Sequence, residues 1–248
     1  MQLQHSTWPE VETYLAKSKA IVIPIGSTEQ HGPTGLLGTD ALCPEIISRR
    51  AGDEAGFLIG PTFNVGQAQH HMSFPGTITL KPSTMIAAML DWAQSLQRHG
   101  FERIYWLNGH GGNIATITAA FSEIYNGVTF AGPGGNRPPL RCHLRNWWEL
   151  PGVMDLCRRL FPVGEGSHAT PSEISVTWFG YPEAVKQAGL SPKIAPTGPI
   201  LDADDYRRRF PDGRIGSDPS QASIEAGGKI VSLAVQGVIQ EFRQFAAA

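Results

Sequence analysis

Ala20-Ile21-Val22-Ile23-Pro24-Ile25 is an unbroken apolar run of strand length that stops at Gly26. A run with no polar face suits a strand buried on both sides, as in a parallel sheet, and not one with a face in water. The text around it alternates between strand and helix patterns. Trp8 to Lys17 reads as a short helix, and Asp40 to Ala55 as a helix with Thr39 or Asp40 at its N-cap and Pro44 near its start. Phe57 to Phe63 is a second strand candidate, Met85 to His99 an amphipathic helix capped by Ser83 or Thr84 and stopped by Gly100, and Arg103 to Leu107 a third strand. Asn113 to Tyr125 follows as a helix and Val128 to Ala131 as a fourth strand.

Residues 132 to 170 carry many Gly, Pro and Trp residues and read as a long functional loop region, because compact domains rarely keep structureless loops of that length. Pro171 to Phe179 restarts a helix, 181 to 218 is polar and broken by prolines, and Gln221 to Phe245 closes the chain as a long helix. This alternation predicts an α/β layered fold with a mainly parallel sheet, read as one domain over the 248 residues.

Composition removes several classes. Apolar residues are 41% and charged residues 17%, an ordinary balance for a folded chain. A net charge of −2 offers no footprint for nucleic acid, and the run Arg207-Arg208-Arg209 has Asp202, Asp204 and Asp205 as neighbours. Cys43, Cys142 and Cys157 are too scattered for a disulfide framework or a thiolate metal cluster. No signal segment opens the chain and no apolar stretch is long enough to span a membrane, so the expected location is the cytoplasm.

In open α/β sheets ligands bind beyond the carboxyl ends of the strands. Two polar, glycine-rich segments stand at such ends. The first is Gly26-Ser27-Thr28-Glu29-Gln30-His31-Gly32-Pro33, continued by Gly38-Thr39-Asp40. Its carboxylates and imidazole suit Zn²⁺, Mn²⁺ or Fe²⁺, and Glu29 and His31, two apart, point the same way on extended backbone. A polar turn whose acids cap the next helix reads equally well from these residues alone. The second is Asn108-Gly109-His110-Gly111-Gly112-Asn113, a histidine wrapped in glycines directly after a buried strand. Neither phosphate-binding glycine pattern is present there.

A weaker third motif is Ser167-His168-Ala169-Thr170-Pro171-Ser172-Glu173, where Glu173 also suits the first turn of a helix. His5, His70, His71, His99 and His143 are read as structural or solvated, with none assigned as a ligand. No G-x-S-x-G elbow supports a serine nucleophile.

Taken together, these segments resemble the creatininase (creatinine amidohydrolase) family. GSTEQHGPTGLLGTD stands where that family has Gly-Ser-x-Glu-Gln-His-Gly-Pro followed by Gly-Thr-Asp. Phe74 to Leu80 is similar to its Phe-Pro-Gly-Thr-Ile-Ser-Leu segment, with Thr79 for Ser. Asn108 to Asn113 and His168 to Glu173 complete the set, in order, over about residues 20 to 180.

The resemblance implies a three-layer αβα sandwich, a pair of divalent metals (Zn, Mn or Fe) and a homo-oligomer such as a hexamer. It also implies hydrolysis of a C–N bond in a small amide, cyclic amide or formamide by a metal-activated bridging water. Glu29, His31, Asp40 and His110 fall on its metal ligands, Asp40 as the bridge, Glu173 on a carboxylate that completes the second metal, and His168 on a catalytic histidine. Trp147 and Trp148 are candidates to wall a substrate pocket, or else core or interface residues.

Two departures bear on substrate. Creatinine-hydrolysing members carry Glu two residues after the motif histidine, where this chain has Gly112. The family's His-Leu-Pro after Gly-Pro is replaced by Thr34-Gly35-Leu36, expected near the pocket. Other branches of the family act on a formamidopyrimidine, on the mycofactocin precursor peptide or, by C–C cleavage, on keto-inositols. A non-catalytic metal- or sugar-phosphate-binding α/β module is the reading from another class.

Overall fold

The computed structural model describes residues 1–130 and 140–248. Strands β1 (Ala20–Ile25), β2 (Arg103–Asn108) and β3 (Arg141–Asn146) form a parallel sheet in that spatial order. Its register runs from Ala20↔Arg103 to Ile25↔Asn108 and from Arg103↔Arg141 to Asn108↔Asn146. Every residue of β1 is buried, as its uniform apolarity requires.

Side chains alternate across the sheet with period two and divide the core in two. Ile21, Ile23, Ile25, Ile104 and Trp106 pack on one side with Met85 and Met89 of α3 (Pro82–Arg98) and Ile117 and Ala120 of α4 (Ile114–Phe130). Val22, Tyr105 and Leu107 pack on the other with Ile47 of α2 (Thr39–Ala55), Val176 of α6 (Pro171–Gly180) and Ile230 and Val235 of α8 (Ile224–Ala247). Helices therefore cover both faces, and the architecture is the αβα sandwich. Among the described residues, no helix is long and apolar enough to cross a membrane.

Several expectations need correction. Phe57 to Phe63 is not a continuous strand: it meets β1 through the isolated parallel bridges Val22↔Ile59 and Ile25↔Phe63. Pro61 lies between them and has no N–H for a ladder. Val128 to Phe130 continue α4 and are not a strand, and Ala131 lies outside the described residues. The strand that does follow is β3, inside the stretch read as loop. Its sequence Arg-Cys-His-Leu-Arg-Asn lacks an apolar run because it pairs only with β2 among the described strands and is half-exposed. Lys81, not Ser83 or Thr84, precedes α3, with Pro82 at its first position. Short helices α5 (Val153–Leu160) and α7 (Ala203–Arg209) interrupt the two irregular regions.

The 181–218 region is held by Arg214, which is fully buried. Its guanidinium donates to both Asp212 Oδ2 (2.8 and 2.9 Å) and the carbonyls of Pro192, Lys193 and Ser217 (2.7, 2.8 and 2.9 Å). Arg214→Ala would remove these bonds, strand the buried Ser217 carbonyl and leave the half-buried Asp212 unpaired, so we expect a loss of about 1–3 kcal/mol in chemical denaturation. A variant as stable as the wild type would show the region to be anchored by other contacts.

Candidate metal centre

The carboxyl ends of β1 and β2 meet the first turn of α2. A Cβ on Gly26 would lie 2.2 Å from the Asp40 carbonyl oxygen and one on Gly109 only 1.9 Å from it. Glycine at these positions is what lets both strand ends approach the backbone that carries Asp40. The asparagines of the second motif fasten the loop between them. Asn108 Nδ2 donates to the His110 carbonyl (2.7 Å) and to Asn146 Oδ1 (2.8 Å), and the His110 N–H donates back to Asn108 Oδ1 (3.1 Å). Asn113 Nδ2 donates to the Gly26 carbonyl at 2.9 Å.

Three groups of donor atoms converge, each within 4.8 Å: Glu29, Asp40 and His110; His31, Asp40 and Glu173; and Glu29, His31 and His168. Asp40 belongs to the first two groups. Its Oδ1 is 2.9 Å from His31 Nε2 and its Oδ2 is 2.7 Å from His110 Nδ1. Backbone carbonyls orient both rings. His31 Nδ1 lies 3.1 Å from the Glu29 carbonyl and His110 Nε2 3.0 Å from that of Gln67. A carbonyl only accepts, so those nitrogens carry a proton in either charge state, and the nitrogen that faces Asp40 is the one a metal would take once the ring is neutral.

Both oxygens of Glu29 and Asp40 Oδ2 are buried without a hydrogen-bond partner, although imidazole nitrogens stand 2.7–3.3 Å away. Carboxylate oxygens gathered out of water beside imidazole nitrogens, and left without a hydrogen bond, are a metal-donor arrangement. These residues fit divalent ions.

The electrostatics agree. Burial lifts the Glu29 carboxyl to about 8 and also raises that of Glu173. Burial opposes charge on His31 and His110, but the neighbouring carboxylates outweigh it and lift them to about 10 and about 9. Burial likewise works against the Asp40 carboxylate, yet those two imidazoliums hold it well below the usual range. Protonated imidazoles thus supply the positive charge that a metal otherwise would. His168 behaves oppositely: burial, then the charge on His31, depress it well below its ordinary value. Its Nε2 is 2.7 Å from the Gln30 carbonyl, which leaves Nδ1 as the acceptor, 3.9 Å from Glu29 Oε1.

A cavity of about 460 Å³ opens over these groups. Trp147 and Trp148 line it, directly after β3, with ring centroids 6.1 Å apart and planes at 85°. Thr34, Gly35 and Leu36 do not line it, contrary to expectation. They back the ligand loop, where a Cβ on Gly35 would meet the His31 carbonyl at 2.3 Å. At Gly112 a Cβ would lie 2.4 Å from His110 Nε2, so a carboxylate side chain there would displace the ring; the third carboxylate of the donor groups is Glu173, from α6.

His71, set aside as a loop residue, belongs to the site. It is buried, its Nε2 is 3.0 Å from Glu29 Oε1, and Gln30 Nε2 donates to its Nδ1 at 2.9 Å. Burial and the surrounding imidazoles hold it far below the ordinary histidine value, while burial lowers its neighbour His70 to about 4. The only sequence signal was adjacency to the Phe74–Leu80 segment. Glu165, half-buried on the cavity wall and raised by burial to about 7, and Tyr206, whose hydroxyl donates to the Gly213 carbonyl at 2.7 Å, carried no signal at all. His143 rests between the rings of Tyr105 and Phe245, away from the cavity, as expected.

Comparison with known proteins points the same way. The family model described as creatinine amidohydrolase matches residues 4–242. A creatinine amidohydrolase of Pseudomonas putida is 26% identical over 96% of this chain and 94% of its own length. A mycofactocin precursor peptide peptidase of Mycobacterium ulcerans (strain Agy99) is 26% identical over 97% of this chain and 87% of its own. Solved creatininases in a Mn form and, as a mutant, in a Zn–Zn form are each 25% identical with a TM-score of 0.84. They cover 100% of this chain and 99% and 98% of theirs.

Because His31 and His110 hold protons in the metal-free site, a metal must displace them to reach their lone pairs. Titration of metal-free protein with Zn²⁺ at pH 7 should therefore release protons, and affinity should rise with pH. Calorimetry in buffers of different ionisation enthalpy measures the release. An unchanged heat across buffers would contradict the assignment of these two rings.

Proposed function

The chain belongs to the creatininase (creatinine amidohydrolase) family of metal-dependent hydrolases, and from that premise we propose that it cleaves a C–N bond of a small amide, cyclic amide or formamide. The observation that carries this is Asp40, shared by two donor triads on the floor of a small-molecule-sized cavity. One ion would be held by Glu29, Asp40 and His110, the other by His31, Asp40 and Glu173. When bound, such a pair polarises a carbonyl oxygen and brings the pKa of a water toward neutrality.

The protein's own groups do the rest. Carbonyls of Glu29 and Gln67 fix the two ligand rings, and His71 orients the Glu29 carboxylate. His168 is neutral at working pH, with its Nε2 proton committed to the Gln30 carbonyl. Its Nδ1 is free to take a proton from the attacking water and pass it to the leaving nitrogen. The side chain keeps 12% exposure beside the buried donors, a position suited to a group that meets substrate. Trp147 and Trp148 form the wall that excludes water from the reacting bond.

The reading is tested by metal analysis and activity on one set of variants. Wild type should hold about two divalent ions per chain, Asp40→Asn about none, and Glu29→Gln or His31→Ala about one. Full metal content in Asp40→Asn would sink the shared-ligand assignment. A screen of lactams, formamides and cyclic ureides with Zn²⁺ or Mn²⁺ should reveal a chelator-sensitive C–N hydrolysis. Ring opening of a keto-inositol with no amide cleaved would replace that chemistry. His168→Ala should keep its metal and lose turnover by about 10²- to 10⁴-fold, the usual contribution of a general acid–base group. Undiminished turnover would remove His168 from the reaction.

A further inference from the structure

Four imidazoles crowd the three carboxylates of the site, yet His71 belongs to none of the donor groups although its Nε2 lies 3.0 Å from Glu29 Oε1. A bare nitrogen there would be one more metal donor, so the position of the His71 proton decides whether this ring joins the ligands. The neighbour that sets it is Gln30, a buried residue of the first motif that offers no metal-donor group itself.

Two backbone groups fix which way the Gln30 amide faces. Its Oε1 accepts the Gly32 N–H at 2.9 Å, and its Nε2 donates to the Gly213 carbonyl at 3.0 Å. Turning the amide over would set N–H against N–H at one end and oxygen against oxygen at the other. A Cβ on Gly213 would lie 1.8 Å from Gln30 Oε1, so the backbone at 213 closes directly on the amide.

That orientation brings Gln30 Nε2 to 2.9 Å from His71 Nδ1. An amide nitrogen only donates, so Nδ1 accepts and carries no proton, and the ring proton is left on Nε2. The amide has two hydrogens to give. The Tyr206 hydroxyl, 3.1 Å away, is bound to the same Gly213 carbonyl, so one hydrogen serves that pair and the other remains for His71. His168 Nε2, 3.0 Å away, spends its proton on the Gln30 main-chain carbonyl and has no lone pair to offer. Glu29 Oε1 makes no hydrogen bond, so the bond that holds the His71 ring is the one from Gln30.

We propose that Gln30 is a positioning residue: its amide fixes His71 as the Nε2–H tautomer and thereby keeps that ring out of the metal ligand set. The tautomer follows from the protein's own hydrogen bonds, and its consequence for the ligand set rests on the metal-dependent reading.

The test is ¹⁵N NMR of histidine-labelled, zinc-loaded protein, in which bare and protonated ring nitrogens resonate far apart. Single histidine variants identify each signal by its loss. Wild type should show His71 with a bare Nδ1 and a protonated Nε2. Q30E replaces the donor with an acceptor and should bring a proton onto Nδ1. Q30M keeps the length with neither, and should replace the single tautomer with a mixture.

A wild-type His71 protonated on Nδ1, or the wild-type pattern retained in either variant, overturns the proposal. Removal of zinc by a chelator separates the two readings. The His31 and His110 signals should change and the His71 pattern should not. Zinc-dependent change at His71 Nε2 refutes the role of Gln30 alone, whereas no change at His31 and His110 refutes the metal-dependent reading beneath it.

Discussion

Asp40 places one carboxylate, almost out of reach of solvent, between the rings of His31 and His110. Much of the structure follows from that placement. The strand ends at Gly26 and Gly109 lack side chains because the Asp40 backbone lies against them, and Asn108 and Asn113 spend their amides tying those ends together. Three carboxylates gathered without a lysine or arginine among the described cavity residues require positive charge from elsewhere. In the metal-free chain the two imidazoles provide it as bound protons. The same positions accept divalent ions by releasing those protons, so the site is built to exchange one kind of cation for another.

Four histidines within one cluster divide into two kinds by their neighbours alone. Burial opposes charge on all four; on His31 and His110 the neighbouring carboxylates outweigh it, while on His71 and His168 neighbouring imidazoles add to it. A charged histidine gives way to a metal, and a neutral one can accept a proton. The division between metal ligand and proton carrier is therefore an electrostatic consequence of position and not of residue type.

Support for the cavity comes in two layers of different origin. The metal donors stand on the loops that leave β1 and β2 and on the first turns of α2 and α6, whereas the groups that would meet substrate stand on other loops: Trp147 and Trp148 after β3, Glu165 and His168 before α6. Those loops are braced by other irregular segments. Gln30 contacts His71, His168, Tyr206 and the Gly213 carbonyl, and Arg214 clasps the 192–217 stretch behind them. Replacing loop residues can change what is bound without disturbing the metal floor, which fits a family whose members differ in substrate.

The parts of the protein written in the sequence are those fixed by local pattern. Ala20–Ile25 announces a strand buried on both faces by its uniform apolarity, and the motifs at the ends of β1 and β2 announce donor-rich loops by residue type and order. Glu29, His31, Asp40, His110, Glu173 and His168 could all be named in advance because each sits in such a motif, and the structure brings them together. Patterns of that kind say nothing about what arrives from far along the chain. β3 was illegible because an edge strand with arginine and histidine on its faces has no apolar run, and Phe57–Phe63 was overread because Pro61 breaks the ladder while leaving the run apolar. His71, Glu165 and Tyr206 look like ordinary loop or helix residues until folding buries them beside Glu29 or along the cavity wall. Their roles are set by desolvation and by neighbours across the fold, and those exist only once the layers have packed.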